Sequence, residues 1–68
     1  MSPKRFDGAR LRQARGEKQI EAVALAAGVS TQTVRRWETG ETEPDASKLA
    51  LVAAFLGIPM DALFSEAA

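Results

Sequence analysis

One short segment, residues 23–37, constrains the fold more than any other part of the sequence. It contains a small residue, Ala24, followed four positions later by Gly28 and then by Val29. Val34 and Trp37 lie three residues apart further along. Two helices that cross steeply through a turn of three or four residues need this arrangement, because the second helix passes close over the small residue and the turn takes a positive φ. The segment predicts such a helix pair.

Capping residues and glycines divide the rest of the sequence into further helices. Asp7, Ser30 and Asp45 each precede a stretch in which apolar residues recur at helical spacing, and these residue types cap helix N-termini. Since the connections are only about two to six residues long, no sheet is expected. The sequence predicts an all-α, five-helix bundle with helices over about residues 8–16, from 19 or 20 to 28, 31–38, 46–56 and 60–64.

The length of 68 residues allows one small domain, which we place at residues 6–64. Residues 1–5 are expected to form a flexible N-terminal tail and residues 65–68 a C-terminal tail. The chain has no cysteine and no histidine, so disulfides and the usual metal ligands are missing. Its longest apolar run, residues 49–58, has about half the length that a membrane-spanning helix needs. We expect a cytoplasmic protein with no metal, no cofactor and no membrane contact.

Charge is distributed unevenly along the chain, although the net charge is zero. Residues 1–36 contain eight basic and three acidic side chains, whereas residues 37–68 contain one basic and six acidic ones. A half with a charge of +5 therefore precedes a half with a charge of −5, and the basic half suits an anionic partner. Solubility alone would explain the same charges equally well.

A longer set of residues extends the central pattern to nearly the whole chain. Its members are Ala24, Gly28, Val29, Ser30, Thr33, Val34, Trp37, Glu38, Gly40, Pro44, the segment 49–58 with its ending Leu56, Gly57 and Ile58, and Leu63. With them, residues 6–64 resemble the Cro/C1-type helix-turn-helix domains of phage repressors and XRE-like bacterial regulators. The resemblance implies the five-helix fold of lambda-repressor-like domains, sequence-specific binding of double-stranded DNA, frequent homodimerisation, and a bacterial or phage origin.

Two positions depart from the family pattern. Family members usually carry a glutamine at the start of the second helix, where it contacts a DNA phosphate. Here Ile20 occupies that place and Gln19 lies beside it, so it stays open which side chain takes that role. The second departure is the acidic stretch Glu41-Thr42-Glu43, where many members have basic residues near the DNA backbone.

The third helix is expected to carry the side chains that read DNA, because in this motif it enters the major groove. Helical geometry places Thr31, Gln32, Arg35 and Arg36 on the faces away from the core. Gln32 matches the donor and acceptor pattern of adenine, and Arg35 or Arg36 can bridge O6 and N7 of guanine. Thr31 can contact a thymine methyl group or a phosphate. The alternative is a solvated helix face with two arginines that serve solubility.

Other polar residues are expected to contact phosphates or to support the third helix. The expected phosphate contacts are Gln19, Thr33, Arg10 and Lys18, with Lys4 and Arg5 as a flexible arm. The family resemblance further implies an ion pair between an arginine of the first helix and Glu38, beneath the DNA-binding surface. Arg15 is preferred over Arg12 for this pair.

A second surface is predicted on the fourth helix. Leu51 and Phe55 lie four residues apart, on a different flank from the apolar residues that face inward. They predict a self-association surface, together with Phe64 and with Met60 or Leu63. An equally weighted alternative is that the short fifth helix covers them. A two-fold dimer would hold two recognition helices about 34 Å apart and match a palindromic operator.

These features favour a transcriptional regulator, either repressor or activator, that binds double-stranded DNA. The alternative is a helix-turn-helix scaffold for protein partners, such as an antitoxin or an antagonist of another regulator. The zero net charge, the acidic loop and the missing glutamine at the start of the second helix favour this alternative. An enzyme is disfavoured, because there is no histidine or cysteine, the carboxylates are scattered, and five short helices leave little room for a substrate pocket.

Overall fold

The computed structural model describes residues 3–66, and it contains helices together with a small sheet. The α-helices are α1 (Gly8–Arg15), α2 (Ile20–Ala27), α3 (Thr31–Thr39) and α4 (Ala46–Leu56). A short 3-10 helix follows at Met60–Leu63, and the strands are β1 (Lys4–Phe6) and β2 (Phe64–Glu66). None of the helices in this part of the chain has the length and apolar character needed to cross a membrane.

Three helices begin at the predicted capping residues. Asp7, Ser30 and Asp45 each accept a hydrogen bond from a backbone N–H of the first helical turn, at 2.9, 3.2 and 2.9 Å. These bonds satisfy donors that have no partner within the helix. The predicted starts of α1, α3 and α4 are thereby confirmed.

The tight turn between α2 and α3 has the predicted construction. Gly28 adopts a left-handed conformation with φ of 72° and ψ of 33°. The N–H of Val29 donates to the carbonyl of Ala24 at 3.0 Å, which closes the end of α2. Val34 and Trp37, on the far side of the turn, are almost completely buried. Their burial fixes which face of α3 points to solvent.

The core lies where the four helices and the 3-10 helix meet. α3 packs against α1 and α2, α4 packs against α2, and the 3-10 helix packs against α1 and α4. The buried apolar side chains form one cluster, which consists of Leu11, Val23, Ala24, Ala27, Val34, Trp37, Leu49, Val52, Ala53 and Leu63.

The sheet corrects the sequence-based prediction of an all-helical bundle. β1 and β2 pair antiparallel, with Lys4 opposite Glu66 and Phe6 opposite Phe64. The two phenylalanine rings lie edge to face, 6.5 Å apart at an interplanar angle of 89°, and both pack against the core. Residues 4, 5, 65 and 66, which were expected in tails, therefore form strands, while residues 1, 2, 67 and 68 of those tails lie outside the described residues.

The structure also differs from the prediction at the fifth helix. In place of an α-helix, a 3-10 helix of four residues leads directly into β2. Burial of Leu63 and a hydrogen bond from the N–H of Asp7 to the carbonyl of Leu63, at 2.9 Å, join this segment to the start of α1. Directly after Leu63 the backbone is extended, and Phe64 begins β2.

The start of α1 crosses the end of α3 at very short distance. A Cβ atom added to Gly8 would clash with the carbonyl oxygen of Trp37 and would lie 2.7 Å from that of Glu38. Both atoms belong to the backbone and cannot move aside without shifting α3. Only glycine fits at this crossing, and no local pattern around residue 8 indicates the close approach.

Candidate nucleic-acid interface

The solvent-facing side of α3 carries the four residues that the sequence predicts as base contacts. Gln32, Arg35 and Arg36 are exposed, and Thr31 is half-buried at the start of the helix. They line one open groove together with Thr39 and Glu41. We call Thr31, Gln32, Arg35 and Arg36 the α3 surface.

The chemistry of the α3 surface suits the edges of base pairs. Gln32 presents one amide oxygen and one NH₂ group, and the two arginines present planar arrays of N–H donors. Arg36 has a nearby acidic partner, because its Nε atom lies 4.0 Å from Oε2 of Glu41. Both side chains of this pair are largely exposed to solvent, at 47% and 67%.

A second open groove adjoins the α3 surface and contains two of the predicted phosphate contacts. Lys18 and Gln19 line it, and Arg35 and Thr39 belong to both grooves. Gln19 is the N-cap residue of α2, is exposed, and its side chain makes no capping hydrogen bond. Ile20, by contrast, packs against the core. Of the two candidates at this helix start, Gln19 therefore has the polar group that faces solvent.

The other two predicted phosphate contacts have different surroundings. Arg10 is exposed near the start of α1, with Nε 4.0 Å from Oδ2 of Asp7. The hydroxyl of Thr33 lies 3.0 Å from the hydroxyl of Ser30, within the cap of α3. Neither residue lines the two grooves described above. Lys4 and Arg5, the predicted flexible arm, are exposed residues of β1.

Arg15 and Glu38 form an ion pair that joins α1 to α3. The Nε atom of Arg15 donates to Glu38 Oε2 at 2.6 Å, and Nη2 donates to Oε1 at 3.0 Å. A third donor of Arg15, Nη1, reaches the carbonyl of Lys18 at 2.9 Å. The Glu38 hydrogen bond raises the pKa of Arg15 above its usual value. The pair thus holds α1, the turn after it and α3 in one arrangement.

The residues proposed for self-association differ in their exposure to solvent. Leu51 and Phe55 remain 49% and 41% exposed, and Met60 is 39% exposed, so the 3-10 helix does not cover them. We call Leu51 and Phe55 the α4 surface. Phe64 is half-buried against the core, and Leu63 is completely buried. The suggestion that Leu63 lies in an association surface is therefore wrong.

Glu41 is a residue of this interface that the sequence reasoning did not assign as a contact. The acidic stretch after α3 was noted as a departure from the family pattern, yet its distance to a particular arginine is visible only in three dimensions. The available signal was its position six residues after Arg35 and five after Arg36, just beyond Gly40, where the chain must reverse.

Two helices joined by a glycine turn, with a polar outer face on the second, define a helix-turn-helix domain. Comparison with known proteins agrees, because residues 9–63 match the helix-turn-helix family. The chain belongs to this family, in its Cro/C1-like and XRE-like branch, whose members are DNA-binding transcriptional regulators. No curated protein matches the sequence significantly.

Solved structures resemble the chain over most of its length. The P22 c2 repressor in complex with a synthetic operator has a TM-score of 0.79 and 30% identity, covering 87% of this chain and 92% of that chain. The solution structure of the DNA-binding domain of the same repressor also has a TM-score of 0.79 and 30% identity, with coverages of 87% and 80%. The restriction-modification controller protein C.AhdI from Aeromonas hydrophila has a TM-score of 0.75 and 29% identity, with coverages of 84% and 89%.

Proposed function

We propose that this protein regulates transcription by reading a specific operator with α3 in the major groove. The observation that carries the proposal is the fixed orientation of the α3 surface. Val34 and Trp37 are buried on the inner side of the helix, and the ion pair with Arg15 holds its last turn. Side chains on such a rigid helix can meet base edges in one register, which recognition of a sequence requires. The similar P22 c2 repressor, bound to a synthetic operator, supports the same use of the fold.

Each residue of the α3 surface has a role in this proposal. Gln32 pairs with N6 and N7 of an adenine, and Arg36 or Arg35 bridges O6 and N7 of a guanine. Thr31, at the start of the helix, contacts a thymine methyl group or a phosphate. These contacts specify the sequence, whereas phosphate contacts fix the position of the protein on the duplex.

The phosphate contacts are proposed at Lys18 and Gln19, with Arg10 and Thr33 as further members. Gln19 has a free amide group at the N-terminus of α2, where backbone N–H groups favour an anion. Lys18 supports this position because it lines the same groove as Arg35. To reach a phosphate, the Arg10 side chain would have to move away from Asp7. The Thr33 hydroxyl would bind a phosphate while it stays hydrogen-bonded to Ser30 in the cap of α3.

The protein is further proposed to bind as a homodimer through the α4 surface. Leu51 and Phe55 expose apolar area on the same flank of one helix, and a small domain gains stability when a second copy covers such area. Phe64 would contribute only its exposed part. A two-fold dimer would bring two α3 helices to half-sites about 34 Å apart on one side of a palindromic operator.

Selection of bound sequences from a random pool of duplex DNA tests this proposal directly. We expect an enriched site made of two inverted half-sites, with centres about one helical turn apart, or 10–10.5 base pairs. Binding should weaken steeply as salt rises, because neutralised phosphates release counterions. A protein that merely acts as a scaffold for protein partners would show no enriched sequence and no salt-sensitive retention on DNA at low salt.

A further inference from the structure

The end of α3 fixes the position of an acidic residue beside the α3 surface. The N–H of Gly40 donates to the carbonyl of Trp37 at 3.2 Å, and the N–H of Glu41 donates to the carbonyl of Arg36 at 2.9 Å. Thr42 donates to the same carbonyl at 3.3 Å. This bonding pattern reverses the chain directly after the helix and returns it to the last turn. The backbone of Glu41 is therefore held next to that of Arg36.

The carboxylate of Glu41 lies near one particular nitrogen of the Arg36 guanidinium. Oε2 of Glu41 lies 4.0 Å from Nε of Arg36, which is the guanidinium nitrogen bonded to the side-chain stem. Arginine has one donor on Nε and four on its two terminal nitrogens. A carboxylate at Nε leaves the terminal nitrogens free, and these can form the paired bonds to O6 and N7 of a guanine.

We propose that Glu41 is a positioning residue that orients Arg36 for guanine and thereby sharpens the sequence preference of the protein. This inference rests on the proposed function, because it assigns a second residue to the reading of one base pair. The same carboxylate also repels phosphates, and this repulsion lowers affinity for all duplexes alike. The orientation of Arg36 is what raises the ratio of specific to non-specific binding.

The size of the effect follows from the exposure of the pair. Because both side chains are largely solvated, the interaction is weak, and its loss should lower the preference for guanine by about two- to fivefold. The loss of one negative charge at the interface should at the same time raise affinity for random duplex DNA. If Glu41 orients Arg36, its loss lowers the preference for guanine while the affinity for random DNA rises. If Glu41 only repels phosphates, its loss raises the affinity and leaves the preference unchanged.

The experiment compares Glu41→Gln with Glu43→Gln, a matched control that removes an equal charge from the same exposed loop. The base pair that Arg36 reads is located first. It is the position of the site at which Arg36→Ala weakens the protein's preference for one base. Competition titrations then measure binding to the selected site and to the site with that guanine replaced, at one salt concentration, and thermal melts verify that each variant folds. We expect Glu41→Gln to lower the preference at that base pair only, and Glu43→Gln to change affinity evenly across sequences.

A double-mutant cycle completes the test. In the Arg36→Ala background, Glu41→Gln should no longer change any base preference, although it should still raise affinity for random DNA. The inference is overturned if Glu41→Gln leaves the preference intact, if Glu43→Gln lowers it equally, or if Arg36→Ala relaxes no base pair. Failure of the proposed function itself would look different, since the unmodified protein would then select no sequence from a random pool.

Discussion

α3 and α4 are consecutive helices of the same general construction, yet they present opposite chemistry to solvent. Each begins at a side-chain cap, each ends at a glycine in the left-handed region, and each buries an apolar stripe in the common core. The outer side of α3 carries Gln32, Arg35 and Arg36, whereas that of α4 carries Leu51 and Phe55. The inner stripes determine the fold, and the outer faces determine which partner each helix can bind.

The two helices also differ in how they are held. α3 has a partly buried ion pair at its last turn and a backbone crossing that admits only glycine, while α4 is held mainly by apolar packing. A helix that reads a sequence must keep its orientation within narrow limits. A helix that covers apolar area in a second copy tolerates small shifts, because the hydrophobic effect is non-directional.

The largest expected effect is at the crossing of α1 and α3. Gly8→Ala would place a methyl group against the backbone of Trp37 and Glu38, and we expect a loss of about 3 kcal/mol or more in the free energy of unfolding. Urea denaturation measures it. Ala9→Gly, at the next and exposed position of the same helix, serves as a control and should cost only about 0.5–1 kcal/mol. Equal losses in the two variants would show that α3 is not held by this crossing.

Breaking the ion pair should have the next largest effect. Glu38→Gln removes the carboxylate that binds Arg15 in a partly buried position, and we expect a loss of about 2 kcal/mol in unfolding free energy. Arg12→Ala removes an exposed arginine from α1 and should change stability by less than about 0.5 kcal/mol. If Glu38→Gln changed the unfolding free energy as little as Arg12→Ala, the ion pair would not contribute to holding α3 in place. α3 and α4 would then not differ in this respect.

A change on the outer face of α3 should alter DNA reading without altering the fold. For Arg36→Ala we expect a loss of about 1–3 kcal/mol in discrimination at one base pair. Competition binding measures the discrimination, and an unchanged melting temperature shows that the exposed side chain is not part of the core. Lys18→Ala gives the contrast, with weaker binding to all sequences alike. Unchanged sequence preference in the arginine variant would refute its assigned role.

The corresponding change on α4 should affect association and leave base reading alone. Phe55→Ser removes a half-exposed ring, and we expect it to weaken self-association by about 1–2 kcal/mol. Sedimentation equilibrium measures the association, and binding to a single half-site shows whether base preference is retained. A parallel loss of half-site preference would mean that the two outer faces are not independent.

The smallest effect concerns the helix caps under acid. The Ser65 hydroxyl lowers the pKa of Asp7, and the backbone N–H of Lys48 lowers that of Asp45, in both cases below the ordinary value of 3.8. Because the folded-state pKa lies below the unfolded one, these carboxylates stabilise the fold above about pH 3.8 and lose this contribution as the pH falls through the folded pKa.

Asparagine also caps helices but does not titrate. The double variant Asp7→Asn, Asp45→Asn should therefore lose less stability than the unmodified protein between neutral pH and about pH 3. Urea midpoints at the two pH values measure the difference. An identical acid loss in both proteins would assign it to other carboxylates.

Local signals in the sequence were sufficient for the four α-helices but not for the predicted fifth, because caps such as Ser30 and a turn residue such as Gly28 act within a few positions of themselves. The outward face of α3 followed from the spacing of Val34 and Trp37. The sheet could not be predicted, since strands of three residues show no alternation and their partners lie at opposite ends of the chain. The tight approach at Gly8 and the contact of Glu41 with Arg36 likewise depend on where separate segments meet.

The pairing of β1 with β2 has a practical consequence for re-engineering the chain. Since residues 4 and 66 are neighbours, a short flexible linker could join them, and the chain could be opened after Glu43, beyond the hydrogen bonds that close the end of α3. Such a circular permutant would keep every helix in place while moving both termini beside the groove of Gln32 and Arg36. A fluorophore attached there would report directly on occupancy of that groove.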